Sequence, residues 1–178
     1  MKIYEIVPDS NKYDSLYCIN DDGYRIIRHF LGYRPYDKAP ESWQAIPVAI
    51  DKMDKKGNFP ALSTAIVFSE KALQILTPLT EETVEILPLK CNSGQFVILK
   101  VTDVIDCLDY SRAKVRRFPS SGRVMDILSY AFKTERLDNK NIFKIPEQKA
   151  RVYVSQTFKE CVENNKLEGL IFREVYSN

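Results

Sequence analysis

Residues 83–104, TVEILPLKCNSGQFVILKVTDV, contain the pattern that decides the fold. Two segments rich in β-branched and other apolar residues, TVEILPLKC and GQFVILKVTDV, lie on either side of the tetrapeptide CNSG. Side chains of that kind favour strands, whereas Asn, Ser and Gly favour turns. The stretch therefore predicts an antiparallel β-hairpin that turns at CNSG.

Two helices are predicted by serine caps that follow short strands. Ser69 precedes EKALQIL, whose apolar residues recur at helical spacing, and Pro78 is predicted to end that helix. Ser155 precedes QTFKECVENN, which has the same spacing. The segment YRIIRHFL fits either a helix or a strand. Other alternating or apolar runs predict strands: KIYEIV, SLYCI, AIVF, VMDILSYAF, NIFKI, VYV and GLIFREVY.

The order of these elements predicts an α+β fold, a mainly antiparallel sheet with a few short helices packed on it. The chain has 178 residues, of which 44% are apolar and 28% charged, proportions typical of one folded domain over residues 1–178. The N-terminal residues lack the apolar stretch of a secretory signal, and no segment has the roughly 18 apolar residues of a membrane helix. We therefore expect a cytoplasmic protein with no membrane partner.

The sequence lacks the usual signatures of catalytic and metal sites. It has no glycine-rich phosphate loop, no GxSxG, no HExxH and no EF-hand loop. Four cysteines are scattered without a CxxC pair and His29 is the one histidine, so we expect free, buried thiols and no zinc site. The prediction is a protein with no metal, no cofactor and no enzymatic activity. The sequence leaves one catalytic alternative, a pair of carboxylates that are distant from each other in the chain.

Three aspartates recur at a spacing of three in VTDVIDCLDY: Asp103, Asp106 and Asp109. On a helix this spacing would place the carboxylates on one face, as a catalytic or metal-binding cluster requires. The surrounding β-branched residues predict a strand instead, in which Asp106 points away from the other two. We therefore expect separate carboxylates, with Asp106 or Asp109 holding a turn at the end of the strand.

A basic segment follows these aspartates. Residues 111–151 contain 11 Lys and Arg against 4 Asp and Glu, whereas the whole chain carries a net charge of +2. Such a segment either contacts an acidic protein surface or phosphates, or forms the solvated faces and turns of a β-rich region. The candidate binding residues in and beside it are Asp109, Arg112, Lys114, Arg116, Arg117 and Arg123.

The loop at 32–42, GYRPYDKAPES, introduces a second group of candidates. Tyr33, Arg34 and Tyr36 lie in this loop, and Trp43 follows it. Tyrosine, tryptophan and arginine are enriched at the energetic centres of protein interfaces, which makes these residues candidates for partner binding. The alternative for Trp43 is that it opens a strand and packs inward as a core residue.

Five short motifs follow one another in a characteristic order: Phe59–Pro60, Ser69–Lys71, Leu87–Pro88, Asp106–Asp109 with Ser111, and Leu167–Phe172. This order resembles a family of bacterial proteins first catalogued as a domain of unknown function and later grouped as immunity family eleven of the polymorphic-toxin systems. The resemblance covers about residues 43–176, and residues 1–42 match weakly. It implies a non-enzymatic protein that binds and neutralises a cognate toxin encoded nearby, in the producing cell.

The basic segment would then suit an acidic patch on the toxin. Two other functions remain open. One is a nucleic-acid-associated protein that uses the arginines on phosphates, which the lack of an RNA-binding aromatic set, a zinc finger or a helix-turn-helix pattern disfavours. The other is an enzyme that acts on a product of the toxin through a carboxylate and an arginine.

Overall fold

A computed structural model describes the whole chain, residues 1–178. Two short 3₁₀ turns, Thr134–Arg136 and Pro146–Gln148, interrupt its loops. The helices and strands in chain order are β1 (Lys2–Pro8), β2 (Ser15–Cys18), α1 (Asp21–Phe30), β3 (Ile46–Asp51), β4 (Val67–Ser69), α2 (Glu70–Thr80), β5 (Val84–Lys90), β6 (Phe96–Val101), β7 (Lys114–Arg117), β8 (Val124–Ser129), β9 (Ile142–Phe143), β10 (Val152–Ser155), α3 (Gln156–Asn164) and β11 (Leu170–Ser177).

The predicted hairpin is confirmed and consists of β5 and β6. The strands pair antiparallel, with Val84 opposite Val101 and Leu87 opposite Ile98, and CNSG lies between them. Successive residues of a strand face opposite sides, so Ile98 packs into one apolar cluster and its neighbour Leu99 into another. The hairpin therefore separates two parts of the core.

The strands form three sheets, and the predicted α+β class is confirmed. Their strand orders are β11-β1-β10-β9, β2-β3-β5-β6-β4 and β7-β8. All neighbouring strands pair antiparallel except β3 and β5, which are parallel. Helices α2 and α3 pack against each other and against strands of the two larger sheets.

Both predicted serine caps are present. The Ser69 hydroxyl accepts a hydrogen bond from the Ala72 N–H at 3.3 Å, and the Ser155 hydroxyl accepts one from the Phe158 N–H at 3.1 Å. Each bond satisfies a backbone donor that the first turn of a helix leaves unpaired. The ambiguous segment YRIIRHFL is helical and lies in α1 and the residue after it, with Asn20 as the cap.

The predicted end of α2 is wrong. The helix does not stop at Pro78 but continues to Thr80. Pro78 lies in the last turn, where its missing N–H removes only the bond to the Gln74 carbonyl. The Thr80 hydroxyl donates to the Leu76 carbonyl at 3.0 Å, and both residues are buried. Packing of this last turn therefore outweighs the helix-ending tendency of proline.

The prediction of a continuous strand through the aspartates is also wrong, because β6 ends at Val101. The chain then makes isolated bridges to two different neighbours, Val104 with Lys144 and Leu108 with Phe132. Cys107 and Leu108 are fully buried in an apolar cluster that differs from the two on either side of the β5–β6 hairpin. Burial of these side chains draws the backbone away from β5, so the segment cannot extend the β5–β6 ladder.

The core consists of three apolar clusters. The first lies between α2, α3 and the two larger sheets and includes Phe68 and Phe158. The second lies between α1 and the strands β2, β3 and β5 and includes Ile27. The third packs Ile127 of β8 against Phe132 and residues of the first sheet. This third cluster anchors the β7–β8 hairpin, on which several candidate binding residues lie.

Candidate functional site

The three aspartates between residues 103 and 109 do not form a carboxylate cluster. Each carboxylate has its own cation, so the prediction of separate carboxylates is confirmed, although the segment is not a strand. No group of three or more His, Cys, Asp or Glu side chains in the chain is arranged to hold a metal ion. The ion pairs are Asp103 with Lys140 at 2.7 Å, Asp106 with Arg136 at 3.4 Å, and Asp109 with Arg112 at 2.6 Å.

Asp109 holds a turn, as the sequence predicted for one of these residues. Its Oδ1 accepts hydrogen bonds from the Ser111 N–H at 3.0 Å and from the Ser111 hydroxyl at 2.6 Å. Its Oδ2 accepts a bond from Arg112 Nε at 2.6 Å. The Ser111 hydroxyl and the Arg112 guanidinium stabilise the charged form, and they lower the pKa of Asp109 from 3.8 to about 2.

Asp109→Asn is expected to destabilise the protein at neutral pH but not at low pH. Because the folded-state pKa is lowered, the carboxylate stabilises the fold above pH 3.8, and this contribution is lost as the pH falls through about 2. Asparagine cannot form the ion pair at any pH. Urea unfolding midpoints of the variant and the wild type should differ at pH 7 and converge near pH 2. A difference that stays constant with pH would show that the charge of Asp109 has no part in stability.

The β7–β8 hairpin presents arginines on a fixed frame. Val115 and Ile127, which lie opposite each other, pack against the third apolar cluster. The Arg117 guanidinium lies 5.2 Å from the centroid of the Tyr110 ring and donates a hydrogen bond to the Gly122 carbonyl at 2.8 Å. These two contacts hold the Arg117 guanidinium beside the turn of the hairpin.

An open groove of about 810 Å³ lies beside this turn, and we call it the basic groove. Two aromatic rings in its walls are exposed, Tyr110 to 46% and Phe118 to 45%. Exposed aromatic rings next to arginines are typical of the centres of protein interfaces. The charged and aromatic residues of the basic groove are Tyr110, Arg117, Phe118, Arg123, Glu147 and Lys149.

The basic groove has more cations than carboxylates. Arg117, Arg123 and Lys149 contribute positive charges, and Glu147 contributes the one negative charge. None of the three cations forms an ion pair within the chain. Their charges are therefore available to an acidic ligand surface.

Glu147 orients the aromatic wall of the basic groove. The Tyr110 hydroxyl donates to Glu147 Oε1 at 2.6 Å, and Oε2 of the same carboxylate is buried without a hydrogen-bond partner. Burial and the Glu147 carboxylate both raise the pKa of Tyr110, so the phenol stays protonated and keeps this bond at neutral pH. The Tyr110 ring is thus held between a hydrogen bond at its hydroxyl and the Arg117 guanidinium on its face.

The remaining candidate cations of the basic segment lie outside the lining of the basic groove. Arg112 is held by Asp109, as described above, and Arg116 pairs with Asp126 at 3.7 Å. Lys114 is exposed and has no ion pair. All three belong to the same hairpin or to the turn before it, but only Lys114 adds an unpaired positive charge outside the groove.

Tyr33 and Trp43 are half-buried and pack against the second apolar cluster. Lys144 Nζ donates to the Tyr33 hydroxyl at 3.3 Å and lies 4.9 Å from the ring centroid, and burial raises the pKa of Tyr33 to about 12. Trp43 Nε1 donates to the Pro88 carbonyl at 2.9 Å, and its ring packs edge-on against Phe30. Trp43 therefore packs inward but does not open a strand, because β3 begins further along the chain.

Arg34 and Tyr36 lie in a different concavity, beside α1, and are not brought into the lining of the basic groove. The sequence candidates are thus divided among three environments. Some line the basic groove or its surroundings, two are half-buried against the core, and two lie next to the end of α1.

A family model described as "Immunity protein family (Imm11)" matches residues 17–177. The chain belongs to the Imm11 immunity protein family. The match confirms the resemblance found in the motifs and begins earlier than residue 43, so it also includes α1 and the loop that follows it. No curated protein matches the chain in sequence.

Four of the charged and aromatic residues of the basic groove in this Imm11 chain were not among the sequence candidates: Tyr110, Phe118, Glu147 and Lys149. Tyr110 and Phe118 carried a usable signal, because each is an aromatic residue directly beside the basic segment or within it. Glu147 and Lys149 had no such signal. Their place in the groove follows only from the packing of the 3₁₀ turn against the hairpin.

The four cysteines of this Imm11 chain are free, as predicted. Cys18 and Cys107 are buried, and burial raises the pKa of Cys18 to about 11 and that of Cys107 to about 12, so both thiols stay protonated at neutral pH. Cys91 and Cys161 are half-buried, so the prediction of burial is wrong for these two.

The helices of this Imm11 chain are short. None has the length and apolar character that crossing a membrane requires.

Proposed function

We propose that this Imm11 protein binds a cognate protein toxin encoded nearby and neutralises it by direct contact, without catalysis, in the cytoplasm of the producing cell. Membership of an immunity protein family supports the immunity role. The basic groove carries the rest of the proposal, because it combines two exposed aromatic rings with three cations that have no carboxylate partner in the chain.

Such a groove suits a protein ligand with an acidic patch. Tyrosine, phenylalanine and arginine supply large contact areas at interfaces, and complementary charge speeds association and excludes wrong partners. An immunity protein needs both properties, since it must reach one toxin before the toxin reaches its target.

The basic groove is also ordered before binding. The Arg117 guanidinium is held by the Tyr110 ring and the Gly122 carbonyl, and the Tyr110 hydroxyl is held by Glu147. Side chains that are already fixed lose less conformational entropy on binding, which favours tight association.

The aspartates favour contact over catalysis. Asp103, Asp106 and Asp109 each form an ion pair with a different cation, so none is a free carboxylate beside another. A general acid or base needs a pKa near the working pH, whereas the pKa of Asp109 is lowered to about 2.

The test is isolation of the tagged protein from the native bacterium after nuclease treatment, with its partners identified by mass spectrometry. We expect one protein, encoded by a neighbouring gene, in a stoichiometric complex. Expression of that protein alone should stop growth, and co-expression of the Imm11 protein should restore it.

Three outcomes would contradict the proposal. The first is a toxin that remains fully active in the purified complex. The second is recovery of nucleic acid in place of a protein, which would favour the phosphate-binding alternative. The third is turnover of a substrate by the purified Imm11 protein alone at a rate that an Asp106 or Asp109 substitution abolishes.

A further inference from the structure

Three arginines converge on a second concavity, which is separate from the basic groove. Arg25 and Arg28 of α1 and Arg34 of the following loop line a pocket of about 360 Å³ together with Pro35 and Tyr36. All three arginines are exposed. We call this concavity the arginine pocket.

The backbone of the arginine pocket is fixed by the way α1 ends. Gly32 adopts a positive φ of 72°, a conformation that suits glycine, and turns the chain back over the helix. The Tyr33 and Arg34 N–H groups both donate to the Arg28 carbonyl, at 2.9 and 3.3 Å. The Tyr36 N–H donates to His29 Nδ1 at 3.1 Å. The loop therefore holds Arg34 against the last turn of α1.

The arginines are not needed to cap α1. Cations often stabilise the carboxyl end of a helix, where backbone carbonyls lack partners. Here three of the last four carbonyls already accept backbone N–H groups: Ile27 from Leu31, His29 from Gly32, and Arg28 from the two loop residues. The helix end thus explains neither the number of arginines nor their convergence.

The charge of the arginine pocket is only partly neutralised. Arg25 pairs with Asp22 at 3.6 Å, and the Tyr36 hydroxyl donates to the same carboxylate at 2.8 Å. Arg28 and Arg34 have no ion pair in the chain. Three positive charges, one of them offset by Asp22, leave two uncompensated charges on one small concavity.

We propose that the arginine pocket binds the dianionic phosphate group of a small phosphate monoester or of inorganic phosphate. A guanidinium presents paired N–H donors that match phosphate oxygens, and a phosphate monoester carries about −1.5 to −2 charges at neutral pH. That charge matches the two that Asp22 leaves uncompensated. A single carboxylate or a phosphodiester would neutralise only half of them.

The test is isothermal titration calorimetry with inorganic phosphate at about pH 8, where the dianion predominates. Sodium chloride holds the ionic strength constant. The proteins compared are the wild type, Arg28→Gln, Arg34→Gln and the double variant. We expect each substitution to weaken phosphate binding about tenfold, since each removes a charge-assisted contact.

Arg173→Gln is the matched control. Arg173 is an exposed arginine on β11 without an ion pair, and its loss should leave phosphate binding unchanged. Trp43 reports whether α1 stays in place, because its ring packs on Phe30 at the end of that helix. Unchanged Trp43 emission in the double variant would show that a loss of binding does not come from unfolding.

Three results would overturn the proposal. They are no phosphate binding by the wild type, equal binding by the wild type and the double variant, and binding of an oligonucleotide without terminal phosphates that is tighter than that of inorganic phosphate and is lost in the double variant. The last result would assign the pocket to a nucleic-acid backbone. No toxin is present in these assays, so their outcome neither supports nor contradicts the function proposed for the basic groove.

Discussion

Replacing both Arg117 and Arg123 by glutamate is expected to weaken binding of the toxin partner proposed above at least about 100-fold. Both cations line the basic groove, and neither has an ion pair in the free protein. Glutamate at these positions would turn attraction to an acidic patch into repulsion. A kinetic binding assay at low and high salt should show a slower association rate, and added salt should raise this rate where it lowers that of the wild type.

The control for this prediction is the double variant Lys71→Glu/Arg173→Glu. It changes the net charge by the same amount at two exposed cations on α2 and β11, outside the basic groove. Equal loss of affinity in both double variants would show that total charge, and not the groove, controls toxin binding. Phe118→Ala adds a second test without a charge change, and unchanged affinity in that variant would remove the exposed ring from the interface.

Lys144→Met is expected to raise the free energy of unfolding by about 2 kcal/mol at pH 7. Lys144 is only 4% exposed, and its Nζ has the Tyr33 hydroxyl as its hydrogen-bond partner. Burial, with a smaller contribution from the charge of Lys100, lowers the pKa of Lys144 from 10.5 to about 8. At neutral pH, folding must therefore bury the charged form of Lys144, which costs free energy. Methionine fills a similar space and carries no charge.

The pH dependence identifies the cause of this effect. Between pH 8 and 10.5 the unfolded state holds a proton on Lys144 that the folded state has released, so the stability of the wild type rises across this range. The Met variant lacks this rise, and its advantage should shrink as the pH increases. Chemical denaturation at pH 7 and pH 10 measures both proteins.

Lys71→Met provides the control for the buried lysine. Lys71 is exposed on α2, and its replacement should change the free energy of unfolding by no more than about 0.5 kcal/mol. A Lys144→Met protein that is less stable than the wild type at pH 7, or an advantage that does not change with pH, would contradict the explanation. The contacts of Lys144 with Tyr33 would then outweigh the cost of the buried charge.

The elements that were predicted correctly depend on interactions between residues close in the chain. Ser69 and Ser155 cap helices through N–H groups three residues away, and the β5–β6 hairpin forms across its own turn. The wrong predictions concern the ends of elements, which depend on packing between residues that are distant in the chain. The helix α2 passes Pro78 because its last turn is buried, and β6 stops at Val101 because Cys107 and Leu108 pack elsewhere.

The candidate site was predicted only in part. The charge of the segment 111–151 pointed to Arg117 and Arg123, which do line the basic groove. The same criterion did not distinguish them from Arg116, whose guanidinium pairs with Asp126. Composition counts charges, but whether a cation is free or paired depends on which carboxylate the fold places beside it. Composition likewise cannot show that the Tyr33 hydroxyl forms a hydrogen bond with Lys144, which is far along the chain.

The sequence by itself determined the α+β class, the serine-capped helices, the hairpin and the family, because caps, turns and side-chain alternation act over a few residues. Only the tertiary structure decided which residues share a surface. Tyr110 reaches Glu147 across 37 positions of the chain, and the arginine pocket depends on how the loop after α1 folds back on that helix. Such contacts are selected by burial and packing of the whole chain, and no local pattern encodes them.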